Sequence, residues 1–283
     1  MADVYNLYVE DRERDGVPSV SRMRSAWKPL SGHFGHLPPA SIDKAVCQTY
    51  VRKRRRQGVS DGGIRTELDY LSTALRFGAR SKVYSGGAPA IERPPQPRPR
   101  TRWLTKAEVV RLVRGAGAPH VKLFILLAIA TAGRPSHILQ LTWDRVDLAR
   151  RVINLDDPGR DRTRKGRASV PINDDVLAPL QMARELAATD HVIEYNEQPV
   201  ASVKKSIKAA AKRARLSGVG PYVLRHTAGV WMAQAGVPMS EIAQYMGHTS
   251  TQVTERVYAR YSPEHLKRAA GALRLDDKLH IAD

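Results

Sequence analysis

Two arginines and a tyrosine, far apart in the sequence, are the residues of this chain best suited to chemistry on a phosphate. Arg134 lies at the junction of two predicted helices, where the first N–H groups of the new helix lack partners. Its guanidinium can bind a phosphate through two parallel hydrogen bonds. Arg225 lies in another predicted helix, three residues after Tyr222, so the two share one face. Tyr258 lies near the end of a later helix. If the fold gathers these side chains, two cations would hold a phosphate beside an attacking phenol.

Two further residues could complete such a site. Lys165 is the single lysine of a basic hairpin over residues 161–171, and a flexible ammonium is a good proton donor to a departing alkoxide. His248 follows the glycine that ends a predicted short helix, ten residues before the tyrosine. Taken singly, each of these residues is more often a solvated or packed side chain than part of a site. His226 is expected to point away from the site, into packing or a backbone hydrogen bond.

Capping patterns and apolar spacing predict the elements that must position these residues. Thr105 and Glu108 form a capping-box pattern, a proline begins a further helix after Arg134, and Gly247 is predicted to end a helix that Ser240 caps. The predicted elements of this part of the chain are helices over 106–115, 121–132 and 136–143, strands over 151–155 and 168–172, and helices from 174 onward, one of them capped by Thr249 or Ser250.

A proline- and arginine-rich segment divides the chain into two predicted domains. Residues 86–102 contain five prolines and four arginines, which rules out a continuous helix and favours an extended linker. Residues 1–85 are predicted to form a helical domain, and residues 103–283 a second domain with a small β-hairpin. The expected fold class is therefore mainly α with a small β-sheet. The linker is either a solvated spacer or a basic strap along DNA, and the sequence favours neither.

The overall charge narrows the class of partner. The chain has 46 Lys and Arg residues against 28 Asp and Glu residues, a formal net charge of +18. Such a charge attracts polyanions, so double-stranded DNA is the leading partner and an anionic membrane surface the weaker one. No segment has the ~20 apolar residues that span a bilayer, and we see no signal peptide. Cys47 is the single cysteine, so no internal disulfide can form. A reduced, cytoplasmic location is the expectation.

Three basic groups outside the phosphate site are candidate DNA contacts. A run of like charge is usually a solvated face, but beside this net charge phosphate contact is comparably plausible. One group lies at four-residue steps and would form a single helical stripe that continues to Arg215. The candidates are Arg52, Lys53, Arg54, Arg55 and Arg56 in the first domain, Arg98 and Arg100 in the linker, and Lys204, Lys208 and Lys212 in the second domain.

The order of these segments resembles that of the tyrosine recombinases, the phage-integrase family of site-specific recombinases. The matching pieces are Thr-Ala-Gly-Arg-Pro-Ser-His-Ile-Leu-Gln-Leu-Thr-Trp at 131–143, the basic hairpin ending in Val-Pro-Ile, Leu-Arg-His-Thr at 224–227, Ala-Gly-Val-Pro at 235–238, Met-Gly-His at 246–248 and Val-Tyr at 257–258. They cover residues 103–262, and the N-terminal helical domain resembles the family's core-binding domain.

The resemblance implies strand cleavage and rejoining through a covalent 3′-phosphotyrosyl intermediate. The implied set is two arginines that clamp the scissile phosphate, a lysine that protonates the leaving 5′ oxygen, a histidine that hydrogen-bonds the phosphate, and the nucleophile: Arg134, Arg225, Lys165, His248 and Tyr258. Tyr261 is the alternative nucleophile. Nearby guanidinium groups are expected to lower the pKa of Tyr258. No metal or cofactor is required. An amphipathic segment over 263–275 would dock on a neighbouring subunit of a homotetramer on two DNA sites, or pack within its own chain.

Two positions depart from the family pattern. Tyr222 stands where the family usually has a histidine, and a phenol with a pKa of ~10 is a poor base at neutral pH. Tyr222 is therefore kept as a site residue without a proton-transfer role. His137 stands where the family often has a carboxylate that orders the site, which puts the support of Arg134 in question.

The alternatives come from other functional classes. Residues 240–258 can be interpreted as a helix-turn-helix of a protein that binds DNA without cutting it, and a degenerate recombinase would also bind only. That interpretation explains the charge but leaves Arg134, the hairpin and the Leu-Arg-His-Thr motif as coincidences. A type IB topoisomerase would share the chemistry, but the small helical first domain favours a recombinase.

Overall fold

The computed structural model describes residues 1–97, 101–156 and 168–273, and the chain divides into two compact units, Met1–Arg100 and Thr101–Asp283. Helices predominate and the strands are short, so the predicted fold class, mainly α with small β-sheets, is confirmed. None of the described helices combines the length and apolar character that a membrane span needs.

The first unit is a group of helices around one apolar core. Asp43 accepts a hydrogen bond from the N–H of Val46, and Ser60 accepts one from the N–H of Gly63, so side chains cap the third and fourth helices. Fully buried side chains recur at helical spacing in the longest helix, as the sequence predicts. The helices of this unit are α1 Ala2–Arg14, α2 Val20–Phe34, α3 Lys44–Arg56 and α4 Asp61–Arg80.

The first part of the proline-rich segment belongs to this unit. Ile91 is buried in its core, Arg93 forms a 2.6 Å ion pair between its Nε and Oδ1 of Asp69, and Nη1 of Arg65 donates to the carbonyl of Pro94. An extended proline-rich chain needs no internal hydrogen bonds, so it can lie along a helical surface. Residues 86–94 are therefore not a free spacer. Two candidate DNA contacts of this segment, Arg98 and Arg100, lie outside the described residues.

The members of the basic run at the end of α3 differ in whether their charge is paired within the unit or exposed to solvent. Arg54 donates from Nη2 and Nε to both carboxylate oxygens of Glu67, at 2.6 and 3.0 Å, and only 17% of its side chain is exposed. Arg55 forms a similar two-point pair with Asp61, but it is half exposed. The charge of Arg54 is thus paired between two helices, and its contact with DNA stays a prediction. The exposed members of the run are Arg52, Lys53, Arg55 and Arg56.

The second unit is larger and its helices surround a separate core. Thr105 and Glu108 form the predicted capping box, in which each side chain accepts from the other's backbone N–H. The helices of this unit are α5 Lys106–Gly115, α6 Pro119–Ala130, α7 Pro135–Leu139, α8 Asp174–Glu185, α9 Lys204–Arg213, α10 Pro221–Gln234, α11 Met239–Met246, α12 Thr251–Tyr258 and α13 Lys267–Ala272. The apolar helix α6 packs against α10, which places the end of one beside the start of the other.

The strands form two small antiparallel sheets. Ile153 pairs with both Val146 and Val170, so the second strand lies in the middle of a three-stranded sheet. The strands are β1 Val146–Asp147, β2 Val152–Asn154 and β3 Ser169–Pro171 in that sheet, and β4 Glu194–Tyr195 and β5 Gln198–Pro199 in a hairpin. The predicted strands on either side of the basic hairpin are thus present. The hairpin's Lys165 lies outside the described residues.

Three local predictions are wrong in their boundaries. The helix expected over 136–143 ends at Leu139, and a 3₁₀ turn follows later. Ser240 lies inside α11, whose N-cap is Pro238. The basic stripe on α9 does not continue to Arg215, which follows the helix with a φ of +54°. By contrast, Ser250 caps α12 through its hydroxyl, as expected.

Candidate active site

The site begins at the tight turn between α6 and α7. Thr131 closes the end of α6, because its hydroxyl donates to the carbonyl of Leu127 and accepts from the N–H of Gly133. Ala132 has a φ of +48°, a left-handed conformation that non-glycine residues seldom adopt. A Cβ added at Gly133 would lie 2.9 Å from Oγ1 of Thr131 and 3.0 Å from Cδ1 of Leu155, so the glycine allows this close packing. In this turn the left-handed residue is thus Ala132 and not the glycine that follows it. The carbonyl of Ala132 points toward α10.

Arg225 is held in a buried position by backbone carbonyls. Its side chain lies on α10 and is 8% exposed. Nη1 donates to the carbonyl of Ala132 at 2.6 Å, and Nη2 donates to the carbonyl of Met246 at 2.9 Å. Nη2 also lies 2.9 Å from Nε2 of His248. The guanidinium thus joins three segments of the chain, and its orientation is set before any ligand binds.

Two like charges make this pocket favourable for an anion. Burial lowers the pKa of Arg225 to about 10, and the neighbouring charge of Arg134 acts in the same direction. Arginine still carries its charge at neutral pH, so the two guanidinium groups repel each other in a poorly solvated space. A phosphate between them would relieve that repulsion.

His248 is neutral and fixed at both ring nitrogens. Gly247 ends α11 in the left-handed conformation, as predicted, and directs the histidine into the pocket. Burial, followed by the charges of Arg225 and Arg134, lowers the pKa of His248 to about 4. Because an arginine can only donate, Nε2 accepts and Nδ1 carries the proton. Nδ1 then donates to Oγ1 of the buried Thr254 at 2.7 Å.

Tyr258, the last residue of α12, is buried against α10. It is 5% exposed. A Cβ added at Gly229 would lie 2.5 Å from Cζ of the tyrosine and 2.8 Å from its hydroxyl oxygen, so the absence of a side chain there makes the slot for the phenol. Burial raises the pKa of Tyr258 to about 12, although the charge of Arg225 acts in the opposite direction. The expectation of a lowered pKa is therefore wrong, because the cost of burying a phenolate exceeds the nearby attraction.

His226 enters packing, as expected, but one of the rings that it packs against is that of the predicted nucleophile. Its ring centroid lies 5.4 Å from that of Tyr258 and 6.3 Å from that of Tyr261. It precedes Gly229 by three residues and so faces the same groove on α10. The three-residue spacing of a histidine and a glycine was the sequence signal for this arrangement. It could not be interpreted from the sequence, because it depends on α12 packing against that face of α10.

Tyr222 stands at the edge of the pocket rather than inside it. It lies in the first turn of α10 and is 65% exposed, yet its phenol is close enough to Arg225 to act on the pKa of that residue, in the upward direction. It borders an open cavity of about 590 Å³ that is also lined by Ser136 and Lys204. His137, in α7, is buried.

The second unit therefore gathers most of the predicted site. Arg134, Arg225, His248 and Tyr258 share one electrostatic environment. The stripe on α9 is solvent-exposed and consists of Lys204, Lys208 and Lys212. The residues that sequence analysis missed support the others: Ala132, Thr254, His226 and Gly229.

Comparison with known proteins identifies the origin of this pocket. The family model described as the phage integrase family matches residues 102–265, more than half of the chain and all of the described pocket. The chain belongs to the phage integrase family. The predicted tyrosine-recombinase identity is thus confirmed, and the pocket lies in the part of the sequence that defines the family.

Individual relatives of this family member are distant in sequence. The integrase of Salmonella phage P22 is 29% identical over an alignment of 221 residues that covers 72% of this chain and 55% of that protein. The tyrosine recombinase XerA of Thermococcus kodakarensis is 26% identical over an alignment of 236 residues that covers 81% of this chain and 82% of that protein. The chain thus spans about half the length of the phage integrase and most of the archaeal recombinase.

Solved structures of the family share its fold. The Tn1549 transposon integrase, in complex with transposon right-end DNA, matches with a TM-score of 0.71 at 18% identity, over 96% of this chain and 99% of that chain. A lambda integrase dimer bound to a core site matches with a TM-score of 0.69 at 15% identity, over 89% and 96% of the two chains. At such identities the likeness is one of fold.

Proposed function

We propose that this phage-integrase family member is a site-specific recombinase that cleaves and rejoins DNA strands through a 3′-phosphotyrosyl intermediate on Tyr258. One observation carries the proposal: a buried, pre-oriented guanidinium, that of Arg225, lies in the same pocket as the tyrosine and His248. A surface used only for binding has no need to bury a cation next to a phenol.

The chemistry follows from the charges in the pocket. The scissile phosphate carries one negative charge and gains a second as the phenol oxygen attacks. Arg134 and Arg225 place fixed positive charge where this charge develops, and Nε2 of His248 accepts from Arg225 and so holds that guanidinium in position. We assign the protonation of the departing 5′ oxygen to Lys165 on the basis of the family resemblance. The linkage formed on Tyr258 retains the energy of the phosphodiester, so the reverse attack by a 5′ hydroxyl rejoins the strand.

DNA is the proposed partner, and a homotetramer on two sites is the proposed assembly. The exposed stripe of Lys204, Lys208 and Lys212 supports backbone contact, since phosphate neutralisation by lysines dominates affinity for DNA. The assembly is supported by a lambda integrase tetramer on a Holliday junction, which matches this chain with a TM-score of 0.73 at 16% identity. The short helix α13 and the exposed Leu266 and Leu273 beside it are the proposed docking element.

A nicked suicide substrate tests the activity. The fragment beyond the cut diffuses away, so a covalent adduct accumulates and survives denaturation. We expect an adduct with the unmodified chain, its loss in Tyr258→Phe and its retention in Tyr261→Phe. Retention in the first variant and loss in the second would move the nucleophile to Tyr261. The absence of any adduct on a site that the protein binds would favour the binding-only alternative.

A further inference from the structure

His226 is a buried histidine beside the proposed nucleophile. Within the part of the chain that the structure describes, its Nε2 is buried and has no hydrogen-bond partner. Buried polar atoms are nearly always paired, so an unpaired nitrogen in a native core needs an explanation. Its ring lies 5.4 Å from the ring of Tyr258, with an angle of 33° between the two planes.

The phenol of Tyr258 packs on α10 beside the turn that follows this histidine. Its hydroxyl oxygen would lie 2.8 Å from a Cβ at Gly229, which is three residues after His226 and on the same face. The other titratable groups around the imidazole are Arg260 and Tyr261, on the turn that follows α12. Arg260 lies 5.0 Å above the ring of Tyr261.

The remaining candidates for accepting the phenol proton are poorly suited. Both nitrogens of His248 are engaged, one with Arg225 and one with Thr254. Tyr222, at the position where the family usually has a histidine, is a phenol and is itself 65% exposed. Burial, followed by the charge of Arg260, lowers the pKa of His226, so the imidazole is neutral and able to accept a proton near neutral pH.

We propose that His226 accepts the hydroxyl proton of Tyr258 during strand cleavage, an inference that rests on the proposed function. A side-chain rotation of Tyr258 or His226 must first bring the phenol hydroxyl to Nε2, which has no hydrogen-bond partner among the described residues. The proton then moves from the phenol oxygen to Nε2, in the imidazole tautomer that carries its own proton on Nδ1. The phenolate oxygen forms a bond to phosphorus, the bond from phosphorus to the 5′ oxygen breaks, and Lys165 protonates that oxygen. Rejoining reverses both proton transfers. The attacking 5′ hydroxyl gives its proton back to Lys165, and the imidazolium of His226 gives its proton back to the departing phenolate.

The test is the single-turnover rate of adduct formation on the suicide substrate between pH 5 and 9. In the unmodified chain the rate falls as pH drops below the imidazole pKa and is level above it. In His226→Gln we expect a rate ~10²-fold lower near pH 7, the usual contribution of a positioned base. The rate should then rise with pH throughout the range, because hydroxide must remove the proton. A fluorinated tyrosine at position 258, with a more acidic phenol, should recover most of the lost rate.

Two variants separate proton transfer from packing. His226→Phe keeps an aromatic ring against Tyr258 but has no nitrogen, so it should be as slow as the glutamine variant. His120→Gln is the matched control, because His120 is also half-buried against a tyrosine ring, that of Tyr195, outside the pocket. Its rate and pH profile should equal those of the unmodified chain. Thermal unfolding and binding to an uncleavable site confirm that each variant is folded.

Several outcomes would overturn the proposal. A phenylalanine variant with the full rate would show that the ring only packs. A glutamine variant with an unchanged pH profile, or no recovery with the fluorinated tyrosine, would remove the proton-transfer role while the proposed function stands. No adduct with the unmodified chain on a bound site would instead overturn the proposed function, and this inference with it.

Discussion

The second unit carries positive charge in two different settings. In the pocket, Arg225 is buried and three of its five N–H groups are committed, two to the carbonyls of Ala132 and Met246 and one to His248. On α9, Lys208 and Lys212 project into solvent. A buried cation acts strongly at one point and must be oriented in advance, because the protein cannot reorganise around it cheaply. An exposed cation attracts an anion weakly and without a fixed geometry, and salt screens the attraction.

The two settings would therefore divide the work of the proposed recombinase. The exposed stripe should set how tightly any DNA is held, and the pocket should set whether a bound phosphate reacts. Substitutions in the pocket should then change the chemical step much more than affinity, and substitutions on the stripe should do the reverse. A pocket substitution that changed mainly affinity, or a stripe substitution that changed mainly the chemical step, would contradict this division.

The largest effect is expected at the buried guanidinium. Arg225→Ala removes the charge that is proposed to bind the phosphate and leaves two buried carbonyls without a donor. We expect adduct formation to fall by about 10³-fold and the free energy of unfolding to fall by about 2 to 4 kcal/mol. Arg225→Lys keeps a charge but cannot reach both carbonyls, so it should recover little of the rate. A lysine variant within a few-fold of the unmodified rate would show that charge alone suffices.

A methyl group on α10 should displace the nucleophile. Gly229→Ala would place a Cβ 2.5 Å from the ring of Tyr258, so the tyrosine must shift. We expect a loss of about 10²-fold in adduct formation from misplacement, with unchanged DNA binding in a gel-shift assay. Gly32→Ala is the matched control, because that helical glycine has open space around it. It should leave the rate unchanged and stabilise α2 by about 0.5 to 1 kcal/mol. Equal rates for both alanine variants would mean that Tyr258 acts from a different position.

The pocket should also be sensitive to acid. The pKa of His248 is lowered from its ordinary 6.5 to about 4 in the folded chain, so between these values the unfolded chain binds more protons. Its contribution to stability is complete above pH 6.5 and is lost as pH falls toward 4. Thermal unfolding of His248→Gln should show a shallower decline over that range, but not a flat one, because the pKa values of His120 and His226 are lowered as well. An identical decline in the variant and the unmodified chain would argue against the buried, neutral histidine.

The smallest effect on chemistry is expected from the stripe. Lys208→Glu combined with Lys212→Glu should weaken binding to every DNA sequence and reduce the slope of log affinity against log salt by about 0.9 for each phosphate that is no longer neutralised. The adduct rate at saturating protein should change little. Lys106→Glu combined with Lys122→Glu, two exposed lysines on α5 and α6, is the control with the same change in net charge. Unchanged binding in the double variant would remove the stripe from the DNA interface.

Local patterns are enough to predict much of this molecule. The capping box at Thr105, the stop at Gly247 and the cap at Ser250 depend on neighbours within a few residues, and all three are present. The order of the arginines, histidine and tyrosine along the chain also indicates the family. Features of this kind are set by short-range physics or by motifs that are read directly from the chain.

Features that depend on distant packing are not predictable from the sequence. The left-handed Ala132 is stabilised by its bond to Arg225, 93 residues away. The direction of the Tyr258 pKa depends on how completely α10 covers the phenol. Arg54 has the pattern of a surface charge, but α4 brings Glu67 beside it. In each case a tertiary contact outweighs the local preference.

The most direct measurement of the central claim is the mass of the modified tryptic peptide. Trypsin cuts after Arg256, Arg260 and Lys267, so Tyr258 and Tyr261 fall in different peptides, residues 257–260 and 261–267. After reaction with the suicide substrate and nuclease digestion, the residual nucleotide marks the attacking residue. The mechanism proposed for this pocket predicts that the mass is added to peptide 257–260. A nucleotide on peptide 261–267 would contradict it.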